Sequence, residues 1–450
     1  MGHVLVLHQF MQPSRAHEVR AAGGVAATGF GQAASRIAEI HQAVADRSFG
    51  ASGAGGRPAK LAHDAISAGV YATVRGVGGA LMRAGGTAAS LSQGADAPPL
   101  ADTRAGTHVL AALSGAFGDA LEREDSPLAV RMGVRQDGRH VPMDSEAVAR
   151  AFPTATPRVA VFTHGLCESE TGWHLAAERH HGDAGSWHGS RLRADLGFTP
   201  VKVRMNTGLH ISDNGRRLAT LLAQLEDCWP VPVEEILLVG HSLGGLVNRS
   251  ACHYGMEQDH PWVQRVGNVV ALGAPHLGAP LEQAAARLGV ALNWTPESRP
   301  LARALAQRSV GIKDLRYGAL VDEDWQGQDP DAWGPDRCAD IPLLESAAHY
   351  VIGATVTRDS RHPLGRVIGD LLVLYPSSAG ASSSGRKMAF ELDNTRHLGG
   401  LNHFHLLNHP RVYEVMLEFL VRCSPGHRSG CAPTPLHQAP QPAGQAWLPA

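Results

Sequence analysis

The order of apolar and polar positions divides the chain into stretches of different texture. Up to about residue 125 the apolar positions recur at steps of three and four. Ile66, Val70, Val74, Val77 and Leu81 share one helical face, and Ile37, Ile40 and Val44 make a shorter stripe. GTHVLAALSGAFGDALERED, 106–125, predicts a third helix, and the linker FGASGAGGRPAK, 49–60, separates the first two. Ala and Gly dominate here. An interior glycine costs a helix about 1 kcal/mol against Ala, so these helices are expected to need something to pack against. Their stripes carry no lysine-rich polar border, which weighs against helices lying on a membrane; contact with a lipid surface stays as the alternative.

From Pro127 the period changes. LAVRMGVRQDGRHVPM alternates Leu128, Val130, Met132 and Val134 and then turns at Asp137-Gly138, a β-hairpin signal. Near-continuous apolar runs follow at VAVFT (159–163), TPVKVRM (199–205), ILLVG (236–240), NVVALG (268–273) and HYVIGATV (349–356). Helical segments such as NGRRLATLLAQLEDCW (214–229) lie between them. Buried strands alternating with helices predict an α/β fold, a mostly parallel sheet with helices on both faces. PRVYEVMLEFLVR, 410–422, opens on Pro and predicts a terminal helix. The expected organisation is an N-terminal helical region at 1–125, an α/β domain at 126–422 and a Pro-rich tail at 423–450, expected to be disordered. Within the domain, 281–345 carries Leu288, Leu292, Trp294, Leu301, Leu305, Trp325 and Trp333. It reads equally well as a lid or as helices packed on the sheet.

Composition narrows the function classes. The chain has 450 residues, room for a sizeable core and more than one domain. Lys plus Arg number 40 against 42 Asp plus Glu, a net charge of −2, so no basic excess points to nucleic acid. The 25 histidines are scattered, and the six cysteines include no C-x-x-C pair. Neither pattern points to a metal or redox motif, and the serine chemistry below requires no metal or organic cofactor. The thiols are read as reduced, with a Cys423–Cys431 clip as the alternative. The N-terminal MGHVLVLHQF lacks a positive leader and a long apolar core, and no 18-residue apolar run occurs. The default expectation is a cytoplasmic protein without a membrane span.

The candidate chemistry begins at EEILLVGHSLGGLVNRS, 234–250. Gly240, Ser242 and Gly244 form G-x-S-x-G between a strand-like run and a helix-like one, the context of a nucleophile elbow. The turn is so tight that its flanks must be small. Serine needs a base within hydrogen-bond reach. His403, in the loop ahead of the terminal helix, is the first candidate, with His405 and His409 as rivals. An acid must orient that base. Asp370 in GRVIGDLLVLYPSSAG, Asp359 directly after a strand, and Asp393 in ELDNTRH are the candidates. His164-Gly165, at the end of VAVFT, offers an oxyanion loop. Leu166 N–H and Leu243 N–H would be its donors, with Cys167 N–H as a further candidate.

The motifs FTHGLCESETGW, LLVGHSLGGLV, LGAPHLGAPLE, GDLLV and NHFHLLNHPRVY, within about 159–422, resemble bacterial esterases and lipases of the α/β-hydrolase superfamily. The resemblance extends to relatives of GPI inositol-deacylases and triacylglycerol lipases. It implies the α/β-hydrolase fold and a Ser-His-Asp triad acting through an acyl-enzyme on an ester or lipid substrate. In such proteins the aspartate of a GD-x-LV segment is the triad acid, which favours Asp370 over Asp359. Leu371 stands where those lipases often have a glycine, and the N-terminal helices have no counterpart in simple lipases. Two other readings share the same residues: an acyltransferase, and a catalytically dead binding module.

Overall fold

Each of the five apolar runs forms a strand. The computed structural model describes residues 13–50, 57–94, 96–332, 334–359, 362–363, 365, 369–380 and 386–422. Their sheet has eight strands: β1 (Gly133–Gln136), β2 (Arg139–Val141), β3 (Arg158–Thr163), β4 (Thr199–Arg204), β5 (Glu235–His241), β6 (Val266–Leu272), β7 (Ala348–Thr355) and β8 (Thr395–Gly399). Their order is β2-β1-β4-β3-β5-β6-β7-β8. β1 runs antiparallel to β2 and β4, and every other pair is parallel. The central strands are buried on both faces: Val161 aligns with Val201 on one side and Leu238 on the other, and all three are fully buried.

Helices α4 (Ser145–Ala151), α5 (Ala177–His181), α6 (His188–Leu196), α7 (Ile211–Cys228) and α8 (Leu243–Glu257) fall between the strands, and α12 (Pro410–Arg422) follows them. Leu218 and Leu222 of α7 and Leu246 and Val247 of α8 share one core cluster with β3 to β5. Leu192 of α6 and Tyr413, Met416 and Phe419 of α12 fill the other. An antiparallel start, parallel continuation and helices on both faces make this the α/β-hydrolase fold.

Two expectations differ in detail. β8 has no apolar run in TRHLG; it forms because β7 offers a free edge, with Ala354 pairing to Leu398. The alternation at Leu128 to Met132 precedes β1 instead of belonging to it. Leu128 and Val130 pack against Leu110 and Leu121 of α3 (Arg104–Arg123).

The N-terminal region is helical but packs differently from its pattern. α1 (Arg15–Gly50) and α2 (Arg57–Leu91) lie antiparallel. They meet through small residues: a Cβ added at Gly86 would sit 2.7 Å from Gly23 Cα, and one at Gly78 would run into the Phe30 ring. The expected packing stripe faces away, leaving Ile66, Val70, Val74, Val77 and Leu81 exposed, as are Ile37 and Val44. Glycines on the opposite side let two backbones approach more closely than branched side chains could, and that contact decides the face. α3 is tied to the sheet instead. Arg204 at the end of β4 donates to Ala101 O (2.7 Å), Thr107 Oγ1 (3.2 Å) and Glu170 Oε2 (2.7 Å). Arg135 of β1 reaches Asp102 (2.7 Å).

The segment after β6 forms α9 (Pro280–Leu292), α10 (Arg299–Ala306) and α11 (Val310–Asp314). Ion pairs Arg47–Glu297 (2.8 Å) and Arg303–Glu39 (2.9 Å) join it to α1. Leu288, Trp294 and Leu301 are exposed, whereas Trp325 stacks on His210 with centroids 3.8 Å apart. The expected tail, the Cys423–Cys431 clip, Trp333 and the middle of the 49–60 linker lie outside the described residues. Among the described residues no helix is long and apolar enough to cross a membrane.

Candidate active site

The turn from β5 into α8 places Ser242 at φ 52°, ψ −123°, a backbone conformation that non-glycine residues rarely adopt. The strain is held by its surroundings. Ser242 N–H donates to Leu272 O of β6 (2.8 Å), and Thr163 Oγ1 donates to Asn248 Oδ1 of α8 (2.8 Å). The two flanking glycines are required by space. A Cβ at Gly244 would stand 2.4 Å from Thr163 O, and one at Gly240 would stand 2.5 Å from Gly245 N. The side chain of Ser242 is nearly buried, at 9% exposure.

His403 begins a short 3-10 turn ahead of α12, and Asp370 sits in a tight turn after β7. Both are 1% exposed. Asp370 Oδ2 meets His403 Nδ1 at 2.7 Å. Its other oxygen accepts from Leu372 N–H (3.1 Å) and Val373 N–H (2.9 Å), and its carbonyl accepts from His403 N–H (2.9 Å). A carboxylate with these partners has one direction left for the histidine. The Asp370 bond fixes the proton on Nδ1 and leaves Nε2 as the free acceptor. A Cβ at Gly273, next to the Leu272 that holds Ser242 N–H, would lie 3.3 Å from His403 Cε1. Among the described residues Ser242 Oγ has no hydrogen-bond partner.

The other candidates stand elsewhere. Asp359 is exposed on the loop after β7, where its charge acts on His397. Asp393 is exposed in a one-turn helix. His405 Nδ1 accepts from Asn402 N–H (3.2 Å), and His409 Nδ1 accepts from Arg411 N–H (3.2 Å). Those two rings gather around His180, with centroids 6.2 and 5.1 Å away.

The loop after β3 passes so close to the elbow that a Cβ on Gly165 would lie 3.0 Å from Ser242 Cβ. His164 shapes it. The ring is fully buried, and desolvation lowers its pKa below the ordinary imidazole value. The neutral ring donates from Nδ1 to Gly165 O (3.0 Å) and accepts Met205 N–H at Nε2 (3.1 Å). Cys167 N–H is taken by Thr207 Oγ1 (3.3 Å), which removes it as a donor. Among the described residues Leu166 N–H and Leu243 N–H have no acceptor.

Two neighbours went unassigned in the sequence. Glu168 accepts Gly165 N–H (2.8 Å) and pairs with His241 Nδ1 (3.0 Å). His241, immediately before Ser242, also reaches His403 O (3.2 Å). Position was the only available signal: Glu168 lies in the loop after β3, close behind His164-Gly165, and His241 inside G-x-S-x-G. A cavity of about 590 Å³ lined by His210, Lys313, Arg316 and Trp325 contains none of these groups. Among the described residues no three His, Cys, Asp or Glu side chains are arranged to hold a metal ion.

The family model described as "Putative serine esterase (DUF676)" matches residues 155–315, about a third of the chain. The match includes the β3 loop and Ser242 and ends before Asp370. The fold is that of the α/β-hydrolases, and over residues 155–315 the chain is similar to serine esterases. Solved structures similar to the chain include Bacillus licheniformis lipase BlEst2 in its mature form, at 18% identity and TM-score 0.39, covering 58% of this chain and 91% of that one. Phospholipase PlaB from Legionella pneumophila matches at 12% identity and TM-score 0.34, covering 60% of this chain and 59% of that one. The Pyrococcus furiosus esterase Pf2001 matches at 14% and 0.30, covering 60% and 82%. No curated protein matches the chain.

Proposed function

We propose that this protein is a serine hydrolase that cleaves carboxylic esters, with Ser242, His403 and Asp370 as its triad. The observation that carries the reading is the buried His403–Asp370 pair beside a serine held at positive φ. The Ser242 hydroxyl gives its proton to His403 Nε2 as Oγ attacks the ester carbonyl. Asp370 keeps the Nδ1 proton in place and stabilises the imidazolium. Leu166 N–H and Leu243 N–H receive the charge that develops on the carbonyl oxygen. Each such donor is worth about 3–4 kcal/mol in the transition state. His403 returns its proton to the departing alcohol, leaving an acyl-enzyme on Ser242. Water then enters by the same route and releases the acid.

The test is Ser242→Ala against p-nitrophenyl esters of increasing acyl length, with fluorophosphonate labelling of both proteins. Loss of turnover and of labelling is expected. Undiminished turnover in the variant would overturn the reading.

A further inference from the structure

The proposed reaction uses one of two imidazoles packed behind the nucleophile; the second, His241, is wholly buried with its ring centroid 4.7 Å from that of His403. Each of its nitrogens faces an acceptor. Nδ1 meets a Glu168 carboxylate oxygen at 3.0 Å, and Nε2 meets the His403 carbonyl at 3.2 Å. A neutral imidazole carries one N–H and can serve only one of these. Two acceptors at hydrogen-bond distance therefore call for an imidazolium, and Glu168 supplies the countercharge.

The same Glu168 oxygen accepts Gly165 N–H at 2.8 Å. One continuous path thus runs from the oxyanion loop through Glu168 and His241 to the backbone of His403. Gly165 precedes Leu166, and His403 N–H is already held by Asp370 O at 2.9 Å. We infer that Glu168 and His241 are positioning residues, an ion pair that sets Leu166 N–H and the His403 ring in register with Ser242. This rests on the ester-hydrolase reading of the site.

The surroundings favour the charged pair. The titratable groups facing it are His164 at the end of β3, Cys167 in the loop that follows, and Asp370 and His403 in their two loops. Burial opposes charge on His241, but the Glu168 carboxylate more than offsets it, so the His241 pKa lies above the ordinary imidazole value. Burial likewise opposes ionisation of Glu168, and His241 outweighs it in the other direction. A raised histidine pKa means that the working, protonated form is present at lower pH. It is lost as pH rises through the shifted value.

Glu168→Gln tests the inference. The amide keeps the shape and cannot hold the charge, so His241 goes neutral and one of its two acceptors loses its donor. Per fluorophosphonate-titrated site, kcat should fall about tenfold to a hundredfold, the scale of a small misplacement of reacting groups. KM should change little, and the alkaline limb of the pH–kcat profile should move to lower pH. A destabilised but correctly set site would lower the melting temperature and leave that limb in place. Glu168→Asp keeps the charge but shortens the reach; it should retain the wild-type limb with a reduced kcat. Wild-type kcat and an unmoved limb in Glu168→Gln would overturn the inference. If that variant does not fold, wild-type kcat in Glu168→Asp would do so. Ser242→Ala, run alongside, separates the two claims: turnover there sinks the hydrolase reading, whereas an inactive Ser242→Ala beside an unaffected Glu168→Gln sinks only the positioning role.

Discussion

The α1–α2 hairpin and the hydrolase sheet carry equally legible apolar patterns, and the protein treats them in opposite ways. In the sheet, Val161, Phe162, Leu238 and Val239 are completely buried. In the hairpin, Ile66 and Leu81 are each 68% exposed. The hairpin's helices join through Gly23 and Gly86 and through the Phe30 ring lying over Gly78. The sheet is held by apolar layers and, where α3 meets it, by the buried charges of Arg204, Glu170 and Arg135 and the partly buried Asp102. A periodic stripe therefore says that a helix forms, but small residues on another face can decide where it packs. Buried apolar layers and paired charges fix groups closely enough for chemistry; glycine contacts between two exposed helices carry no such demand.

Substitutions in the two regions should differ accordingly. Asp370→Asn should have the largest effect, because it inverts the hydrogen bond that sets the His403 tautomer; a loss of kcat on the order of 10⁴ is expected from steady-state assays. Asp359→Asn, on the exposed loop, should stay within about twofold, and a comparable loss there would move the acid from Asp370 to Asp359. Next comes Arg204→Ala. It leaves Glu170 buried with a weakened partner, so chemical denaturation should show a stability loss of about 3–5 kcal/mol. Arg36→Ala, which breaks a part-exposed pair with Glu39 in the hairpin, should cost no more than about 1 kcal/mol. A large effect at Arg36 would erase the contrast.

Acidification acts on the body through His188. Desolvation pulls its pKa down to about 3, so the native state resists a proton that the unfolded chain accepts near 6.5. The unfolded state binds more protons across that window, and stability should fall as pH drops through it. His188 alone contributes about 1.4 kcal/mol per pH unit, measurable as a falling melting temperature. His188→Gln should flatten the dependence by that share. The smallest change belongs to the hairpin. Gly86→Ala brings a Cβ to 2.7 Å from Gly23 Cα but gains helix propensity, so a net effect of about 1 kcal/mol, with wild-type ester turnover, is expected.

Much of the sheet could be read in advance because β3, β5, β6 and β7 are buried on both faces and leave near-continuous apolar runs. β8 could not, because TRHLG has no such run and owes its existence to the edge that β7 presents. At the candidate site, the elbow was legible from glycine spacing, since its close approaches admit nothing larger. The Asp370–His403 contact spans 33 residues. Its two ends were visible as candidates among rivals of the same chemistry; the GD-x-LV resemblance ranked Asp370 ahead of Asp359, and packing brings Asp370 onto His403. Glu168 and His241 had no pattern of their own, because a buried ion pair is defined by what surrounds it.

By itself the sequence determined the strand–helix alternation, the glycine-flanked turn around Ser242 and the order in which serine, aspartate and histidine appear. These depend on local sterics and on periodicity, which are written along the chain. The tertiary structure alone decided which face of α2 is covered, which N–H groups of the β3 loop remain free, and how Glu168 and His241 come to pair. Each of those is a competition between surfaces or partners distant in sequence, and its outcome depends on how close two backbones can come and on which polar groups are already satisfied.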